Sequence, residues 1–554
     1  MKKIPVLWVL GRIRRRIPAI VFLTALQVAQ ALLAVAFALG SRGVIDSAVS
    51  GDRHLFLMAC LKQASIIAST LLCLVLMRHL RDRLSMDLER DWKRRLLHGL
   101  LHGDYSAVSS YHSAELLNRL NSDVGQVNQG ILSVIPNAAY MVTQLVSAVT
   151  VLGTMDLRFT LMMAGMGVVI VLATGLMRRR LKDLNKQVSA HNGKVSGFLQ
   201  ETMEKLLMVQ TMDVSGEVER RADVLMADRY AIQRKRKNMS LVSGTCVSLM
   251  SYGIGFLALV WCAFRLLQGQ MTFGSLTAVT QLVSQLRAPF VNMSGVMPQY
   301  IAMTASAERL MELENIQGEP APLNEDPHEI YEQMDSIGAE DLTFAYDRDP
   351  VLRRAAFSLP KGAFAVITGP SGIGKSTLLK LLLGVYVPSE GKLWMDRGGK
   401  KLTLDRSTRR MFAYVPQGNL LLSGTLRENL TIVRPDASEE EIAQAVHVSA
   451  MDEYLPQLPK GLDTPMGESG AGLSEGQAQR LSIARAVLGG APILLLDECT
   501  SALDAETEET VLQRLRALPG RTCIAVTHRP AAVALCDWRL EVSDGGIRAV
   551  RASE

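Results

Sequence analysis

The sequence predicts two domains of different class: an all-α domain of six membrane-spanning helices with long cytoplasmic extensions, followed by an α/β domain. Three observations predict this. The chain has 554 residues, too many for one domain. Hydrophobic residues make up 48% and mean hydropathy is +0.16, yet 21% of residues are charged. The long apolar runs all lie in the first 300 residues, which separates a membrane half from a water-soluble half.

Six apolar runs reach or approach the ~20 residues that a helix needs to cross ~30 Å of hydrocarbon. They lie at 17–40, 55–77, 131–153, 158–177, 242–267 and 273–297. Basic residues before the first run raise the alternative of a cleaved signal peptide. That run is longer than the ~7–15 apolar residues of such peptides, so we predict a retained helix.

Basic residues predict the orientation of these helices. They gather in "RIRRR" before the first run, in "RHLRDRLSMDLERDWKRR" after the second and in "RKRK" before the fifth, whereas the proposed outer loops (41–54, 154–157 and 268–272) hold only Arg42 and Arg53. This asymmetry predicts cytoplasmic termini. We interpret the basic clusters as contacts with lipid headgroups that fix the topology. The inner segments 78–130 and 178–241 are predicted as helices that continue below the membrane.

Net charge and cysteine spacing give no indication of a nucleic-acid partner or of a metal site built from cysteines. Net charge is only +6, so no nucleic-acid partner is expected. The seven cysteines form no CxxC pair and no spacing typical of metal ligands, which predicts buried, reduced thiols.

Composition changes near residue 315. Residues 316–338 are rich in proline and acidic residues without a helical stripe, which predicts a linker between domains at 1–315 and 339–554. Beyond it, "GAFAVITG" predicts a buried strand and "KSTLLKLLLG" a helix.

Between that strand and helix lies "GPSGIGKST", which fits the phosphate-loop pattern G-x-x-x-x-G-K-[ST] in its required context. The glycines let the backbone wrap a phosphate, the lysine supplies positive charge and the serine hydroxyl suits Mg²⁺. The candidate nucleotide-binding residues here are Gly369, Ser371, Gly372, Gly374, Lys375, Ser376 and Thr377.

The stretch "APILLLDECT" predicts a second part of the same site. An apolar strand delivers Asp497 and Glu498 at its end. Asp497 suits the coordination sphere of Mg²⁺, and Glu498 can polarise an attacking water.

With these motifs in order, the chain resembles the ATP-binding cassette (ABC) exporters of half-transporter type, over essentially all of its length. The resemblance implies ATP and Mg²⁺ as ligands. It implies that Tyr346 stacks on adenine, that Gln417 senses Mg²⁺, that Asp504 lies at a dimer interface and that His528 contacts the γ-phosphate. The catalytic residues that it implies are Glu498, His528 and Lys375.

The stretch "LSEGQ" resembles the signature of the same family, usually LSGGQ. Ser474 and Gln477 have the spacing of a capping box, and the free amides of a helix start favour an anion. The resemblance implies that Ser474, Gly476 and Gln477 contact the γ-phosphate held by an opposite chain. Glu475 departs from the family pattern, and we expect its side chain to point away from the phosphate.

The resemblance implies export of a small amphipathic molecule, lipid or peptide by alternating access, driven by ATP hydrolysis in a dimer. Homodimer and heterodimer both remain open, as does a subunit of an ATP-gated or regulatory complex. A soluble cassette is disfavoured by the six spans. The expected location is a bacterial inner membrane, with the nucleotide-binding domain and both termini cytoplasmic.

Four polar residues in the sixth run are candidates for the substrate cavity. Gln281, Gln285 and Asn292 recur at helical spacing, and Arg287 is a charge inside a span, which is costly unless it has a function. They do not identify the transported substrate.

Overall fold

The computed structural model describes residues 5–346, 349–418, 421–467, 470 and 472–552, without the side chains of 164, 168–174, 176–179, 247, 251 and 287–295. The chain divides into two compact units. The first comprises Met1–His98 and Ser113–Asn315, and the second comprises Gly99–His112 and Ile316–Glu554.

The first unit is helical, and each predicted apolar run lies inside one long helix. The helices of this half of the chain are α1 (Pro5–Arg12), α2 (Ile17–Ser50), α3 (Arg53–Leu101), α4 (Tyr105–Ser109), α5 (Ser113–Asn118), α6 (Val124–Met155), α7 (Leu157–Glu204), α8 (Leu206–Thr211), α9 (Ser215–Leu267) and α10 (Phe273–Glu314). Within the residues that the structure describes, four helical segments are long and apolar enough to span a membrane: Arg14–Ser50, Arg53–Leu101, Ser113–Met155 and Ser215–Leu267.

Several of these helices are far longer than a membrane span. Helix α3 has 49 residues, α7 has 48 and α9 has 53. At ~1.5 Å per residue each is about 70–80 Å long, more than twice the ~30 Å hydrocarbon core. The predicted helices in the inner segments therefore continue the spans.

The loop between the first two long helices is shorter than predicted. Most of the predicted loop 41–54 is helical, since α2 continues to Ser50 and α3 begins at Arg53. Gly51 ends α2 with a φ of 76°, a left-handed conformation that glycine adopts without strain. Two further helices, α7 and α10, have side-chain caps at their N-termini: Asp156 accepts from the Phe159 amide at 3.1 Å, and Thr272 accepts from the Ser275 amide at 3.1 Å.

The second unit contains the predicted α/β domain. Its remaining elements are α11 (Pro327–Glu332), β1 (Ser336–Ala345), β2 (Pro350–Pro360), β3 (Phe364–Thr368), α12 (Lys375–Leu382), β4 (Glu390–Arg397), β5 (Lys400–Thr403), β6 (Phe412–Val415), β7 (Gly424–Thr425), α13 (Leu426–Thr431), α14 (Glu439–Val448), β8 (Pro465–Met466), α15 (Glu475–Leu488), β9 (Ile493–Asp497), α16 (Ala505–Arg516), β10 (Thr522–Val526), α17 (Pro530–Leu535), β11 (Trp538–Ser543) and β12 (Gly546–Arg551).

The main sheet fixes where the candidate site forms. Its strand order is β12-β11-β3-β10-β9-β6, and all strands except β12 run parallel. Strand β10 pairs with both β3 and β9, so that Val526 lies between Ile367 and Asp497. Strands β9 and β10 are buried along their whole length, as parallel strands covered on both faces are. The carboxyl ends of β3, β10 and β9 therefore share one edge.

The predicted linker at 316–338 differs from the structure. Helix α11 lies inside it, capped by Asp326, which accepts from the His328 amide at 2.7 Å, and strand β1 begins at Ser336. Ile330 and Met334 are buried in the core of the second unit. A helix of six residues has too few positions to show an apolar stripe, so the sequence pattern missed it.

An inner segment between α3 and α5 also belongs to the second unit. Gly103 pairs with Gly318 in an isolated bridge, the Asp104 amide donates to the Gln317 carbonyl at 3.0 Å, and the Tyr105 and Tyr386 rings lie 6.3 Å apart. The second unit thus includes chain from the first half of the sequence.

Candidate functional site

The phosphate loop, residues 369–377, closes around its own lysine. Lys375 is 5% exposed, and its Nζ donates to the carbonyls of Gly369 at 2.8 Å and Pro370 at 2.9 Å. Gly374 has a φ of 109°, and a Cβ there would lie 2.5 Å from Val351 Cγ1, so glycine is required. The loop presents Ser371 and Gly372 to solvent.

Strand β9 delivers Asp497 to this loop. Asp497 is 1% exposed, and its two oxygens accept from the Ser376 hydroxyl at 2.8 Å and from the Tyr414 hydroxyl at 3.1 Å. Burial raises the pKa of Asp497 above its usual range, against the effect of these two hydrogen bonds, and the charge of Glu498 adds to the rise. Sequence reasoning missed Tyr414, although it stands three residues before Gln417 in "YVPQ".

Glu498 follows with a strained backbone. Its φ is 48°, which costs energy in a non-glycine residue and is common at active sites. Its amide donates to the Val526 carbonyl at 2.9 Å, and its Oε2 accepts from Gln417 Nε2 at 2.6 Å. His528, two residues beyond β10, is exposed at the same edge of the sheet. The structure thus brings Glu498, Gln417 and His528 to the edge that carries the phosphate loop.

An aromatic cluster holds the predicted adenine-stacking residue. The Tyr346 hydroxyl lies 3.0 Å from Thr377 Oγ1, and its ring meets Phe344 and Tyr386 edge-on at 5.1 and 5.3 Å. The Tyr346 side chain is still 52% exposed, so one face is free to stack. Tyr386 was not predicted, since only the fold brings it to this cluster.

The predicted metal ligands fit Mg²⁺ by their chemistry. A hydroxyl from Ser376, a carboxylate from Asp497 and an amide oxygen from Gln417 are the hard oxygen donors that this ion prefers. Ser376 and Asp497 are already in hydrogen-bond contact, whereas Gln417 contacts Glu498.

The capping box at the start of α15 is as predicted. The Ser474 amide donates to Gln477 Oε1 at 2.8 Å, and the Gln477 amide donates to Ser474 Oγ at 3.3 Å. Glu475 is exposed at the first helical position, where its charge favours the helix dipole. A Cβ at Gly476 would lie 2.9 Å from the Ala502 carbonyl, which ties this residue to the loop at 501–504.

Two residues that the sequence did not single out hold that loop. Gln479, 4% exposed, donates to Ser501 Oγ and accepts from the Ala502 amide, both at 3.0 Å. Arg529 donates to the Ser501 carbonyl at 2.6 Å. Asp504 ends the loop as the N-cap of α16 and accepts from the Thr507 amide at 3.0 Å.

The signature and the phosphate loop are separate within one chain. Among the residues that the structure describes, no hydrogen bond or ion pair joins 474–477 to 369–377.

The candidate cavity residues are only partly described. Gln285 Nε2 donates to the Ala34 carbonyl of α2 at 2.8 Å, so this side chain reaches a neighbouring helix. Gln281 is partly buried, and its Oε1 has no hydrogen-bond partner in the described part of the chain. The side chains of Arg287 and Asn292 lie outside the described residues. A common cavity face for the four stays a prediction.

Two family models match this chain. The model of the ABC transporter transmembrane region covers 20–290, and the ABC transporter model covers 352–501, which includes the phosphate loop, the signature and both acids. The second match implies ATP binding. The first match and the four candidate spans make this a multi-pass membrane protein.

Relatives and a solved structure agree with these matches. The chain is 32% identical over 377 residues to the cyclolysin secretion/processing ATP-binding protein of Bordetella pertussis, over 67% of this chain and 52% of that protein. It is 44% identical over 215 residues to the mycobactin import ATP-binding/permease protein of Mycobacterium tuberculosis, over 38% and 37%. The chain thus spans about half the length of the Bordetella relative. The structure of a bacterial Atm1-family ABC exporter with ATP bound has the same fold, with a TM-score of 0.80, 24% identity and coverage of 98% and 96%.

Proposed function

Because the chain belongs to the ABC transporter family, we propose that it is a half-transporter that exports a small amphipathic molecule, lipid or peptide by alternating access, driven by ATP hydrolysis. One observation carries the hydrolytic part. Glu498 stands at the sheet edge that carries the phosphate loop, held by Gln417 at 2.6 Å, where a water that attacks a γ-phosphate needs a base. Gating by ATP binding alone would not require this residue.

The residues of the loop suggest how the nucleotide is held. Lys375 exchanges its contacts with the Gly369 and Pro370 carbonyls for contacts with phosphate oxygens, and the backbone amides of the loop donate to the β-phosphate. Tyr346 stacks on the adenine. Mg²⁺, when bound, offsets the charge of the phosphates, and Ser376 and Asp497, with Gln417, would hold it.

Around the γ-phosphate, the chain's own groups supply base and charge. Glu498 polarises the water, while Lys375 and His528 stabilise the charge that develops on the phosphate oxygens. The Gln417 amide, in direct contact with Glu498, keeps that carboxylate at the sheet edge until the nucleotide arrives.

A second copy of a half-transporter completes the site. Ser474, Gly476 and Gln477 offer a helix start to an anion but make no described contact with their own phosphate loop, which supports a head-to-tail pair of chains. The pair is either a homodimer or a heterodimer with a related chain.

Cross-linking tests the head-to-tail pair. In an S371C/S474C chain with ATP bound, a thiol-reactive cross-linker long enough to span a phosphate is expected to give a cross-linked dimer, and the two single variants serve as controls. Cross-linking within one chain only, or none in a folded protein that binds ATP, contradicts the composite site.

ATPase activity coupled to transport tests the function. The purified chain in proteoliposomes is expected to hydrolyse ATP, and Glu498→Gln to lose ~10²–10⁴-fold of that rate, as removal of a general base does. A folded wild-type chain without activity would favour a regulatory subunit, or a heterodimer whose other chain is absent. Since one relative is named an import protein, transport must be followed in both directions.

The proposed location is the bacterial inner membrane, with the nucleotide-binding unit and both termini on the cytoplasmic side. The basic residues at the inner ends of the helices support this orientation. Protease protection of a C-terminal tag in spheroplasts tests it, since a cytoplasmic tag survives until the membrane is opened.

A further inference from the structure

A cavity at the inner end of the first unit is lined mostly by arginine. It lies between α1, the short 3₁₀ turn Arg14–Arg16 and α3, and it holds about 590 Å³. One carboxylate, Asp91, lines it, against six guanidinium groups: Arg12, Arg14, Arg15, Arg16, Arg94 and Arg95.

Two of these arginines form ion pairs with described residues of the protein. Arg12 pairs with Glu314 at 2.8 Å, and Arg16 pairs with Asp87 at 2.9 Å and with Asp91 at 3.3 Å. Four form no ion pair in the part of the chain that the structure describes: Arg14, Arg15, Arg94 and Arg95. Several unpaired guanidinium groups around one cavity favour an anion with several oxygens, such as a phosphate.

A buried tryptophan supplies a second, independent observation. Trp92 lines the same cavity, is 3% exposed, and its Nε1 has no hydrogen-bond partner among the described residues. The neighbouring Trp8, with its ring 5.2 Å away, donates its own Nε1 to Glu314 at 2.7 Å. A buried N–H group without an acceptor is unusual, and an acceptor in the cavity would satisfy it.

The surroundings of the arginines favour a lipid over a soluble anion. Leu7 on α1 is 63% exposed, and Val21 and Phe22 on α2 are 61% and 57% exposed, so apolar surface flanks the basic turn along the chain. Helix α2 begins its membrane span directly after Arg16. Guanidinium groups at this position meet the headgroups while the apolar residues meet the acyl chains.

We propose that this cavity binds the phosphate of an anionic phospholipid headgroup in the inner leaflet. Arg14, Arg15, Arg94 and Arg95 bind the phosphate oxygens, and Trp92 donates its N–H to the headgroup. The proposal does not depend on ATP hydrolysis, since every residue in it belongs to the first unit.

Lipid retention measured by native mass spectrometry tests the proposal. Delipidated wild-type chain, reloaded with phosphatidylglycerol, is expected to retain it in preference to phosphatidylcholine. R14Q/R15Q/R94Q/R95Q is expected to weaken retention by at least roughly tenfold, since each cation contributes to the attraction. W92F, which keeps the ring but lacks the N–H, is expected to weaken it less.

A matched control removes four positive charges outside the cavity. K400Q/R410Q/K460Q/R551Q changes exposed basic residues of the second unit, outside the basic clusters of the membrane half, and is expected to keep wild-type retention. If it loses as much lipid as the cavity variant, general surface charge explains the binding and the proposal is overturned. R14Q/R94Q replaces the quadruple variant if that variant does not fold.

A soluble phosphate is the competing occupant. Titration with inorganic phosphate, followed by tryptophan fluorescence of the wild type and of W92F, detects it. Quenching by this anion at millimolar concentration, without selective retention of phosphatidylglycerol, would overturn the lipid assignment. All readouts are taken without hydrolysis, so an inactive ATPase leaves them interpretable.

Discussion

The side chain of Gln479 forms a hydrogen-bonded bridge between the signature helix α15 and the loop at 501–504. Gln479 makes two hydrogen bonds, to Ser501 Oγ and from the Ala502 amide, each 3.0 Å long. Gln479→Met keeps the side-chain volume and removes both bonds. A hydrogen bond contributes ~1 kcal/mol net, so the expected loss in the free energy of unfolding is about 2 kcal/mol. For a domain of 150–250 residues, at ~2–4 °C per kcal/mol, the melting temperature falls by about 4–8 °C.

Scanning calorimetry of the full chain in nanodiscs measures this shift in melting temperature. The unfolding transition to follow is the one whose melting temperature rises when ATP is added. The matched control is Gln513→Met, since Gln513 is an exposed glutamine of the same unit that bonds only to Glu509, one turn away on its helix. Its change is expected to stay within about 0.5 kcal/mol. If the two variants have the same melting temperature, the bridge does not stabilise the loop and the reasoning from its two hydrogen bonds is wrong.

Three further predictions concern the nucleotide site. Because burial raises the pKa of Asp497, the folded chain keeps its proton to higher pH than the unfolded chain, so stability without nucleotide falls as pH rises through that interval. Melting curves against pH are expected to be flatter for Asp497→Asn; equal slopes would contradict the raised pKa. Glu475→Gly is expected to keep ATPase activity within about threefold, because Glu475 is exposed, and to lose ~0.5–1 kcal/mol of stability with the helix-dipole contact. Tyr386→Leu is expected to raise the KM for ATP by up to about tenfold at unchanged kcat, since the ring contact that orients Tyr346 is worth ~0.5–1.5 kcal/mol; a changed kcat with constant KM would refute this.

Local pattern was enough to predict much of this protein. The six apolar runs predicted six long helices, because the length of hydrocarbon to be crossed is fixed. The phosphate loop, the acids after β9 and the capping box at Ser474 were also predicted, because each depends on residues close together in the chain.

Contacts between distant segments were not predictable. The ring of Tyr386 contacts Tyr346 because the fold brings their two loops together. In the sequence Gln479 is one polar residue of a helix, and its role becomes visible only in the structure, where it bonds to Ser501. The segment at 99–112 was assigned with the membrane half, although it packs with residues near 318. In each case the partner lies tens to hundreds of residues away, beyond the reach of periodicity.

The sequence by itself determined the class of each half and the position of the phosphate loop between its strand and helix, because hydrophobic length and the order strand-loop-helix are local requirements. Only the tertiary structure decided which groups surround a charge. In the folded chain Lys375 donates to a carbonyl of its own loop, and Gln417 donates to Glu498. Six arginines and Trp92 line one cavity. Such sets are fixed by the packing of helices and strands against each other, and the order of residues along the chain does not specify that packing on its own.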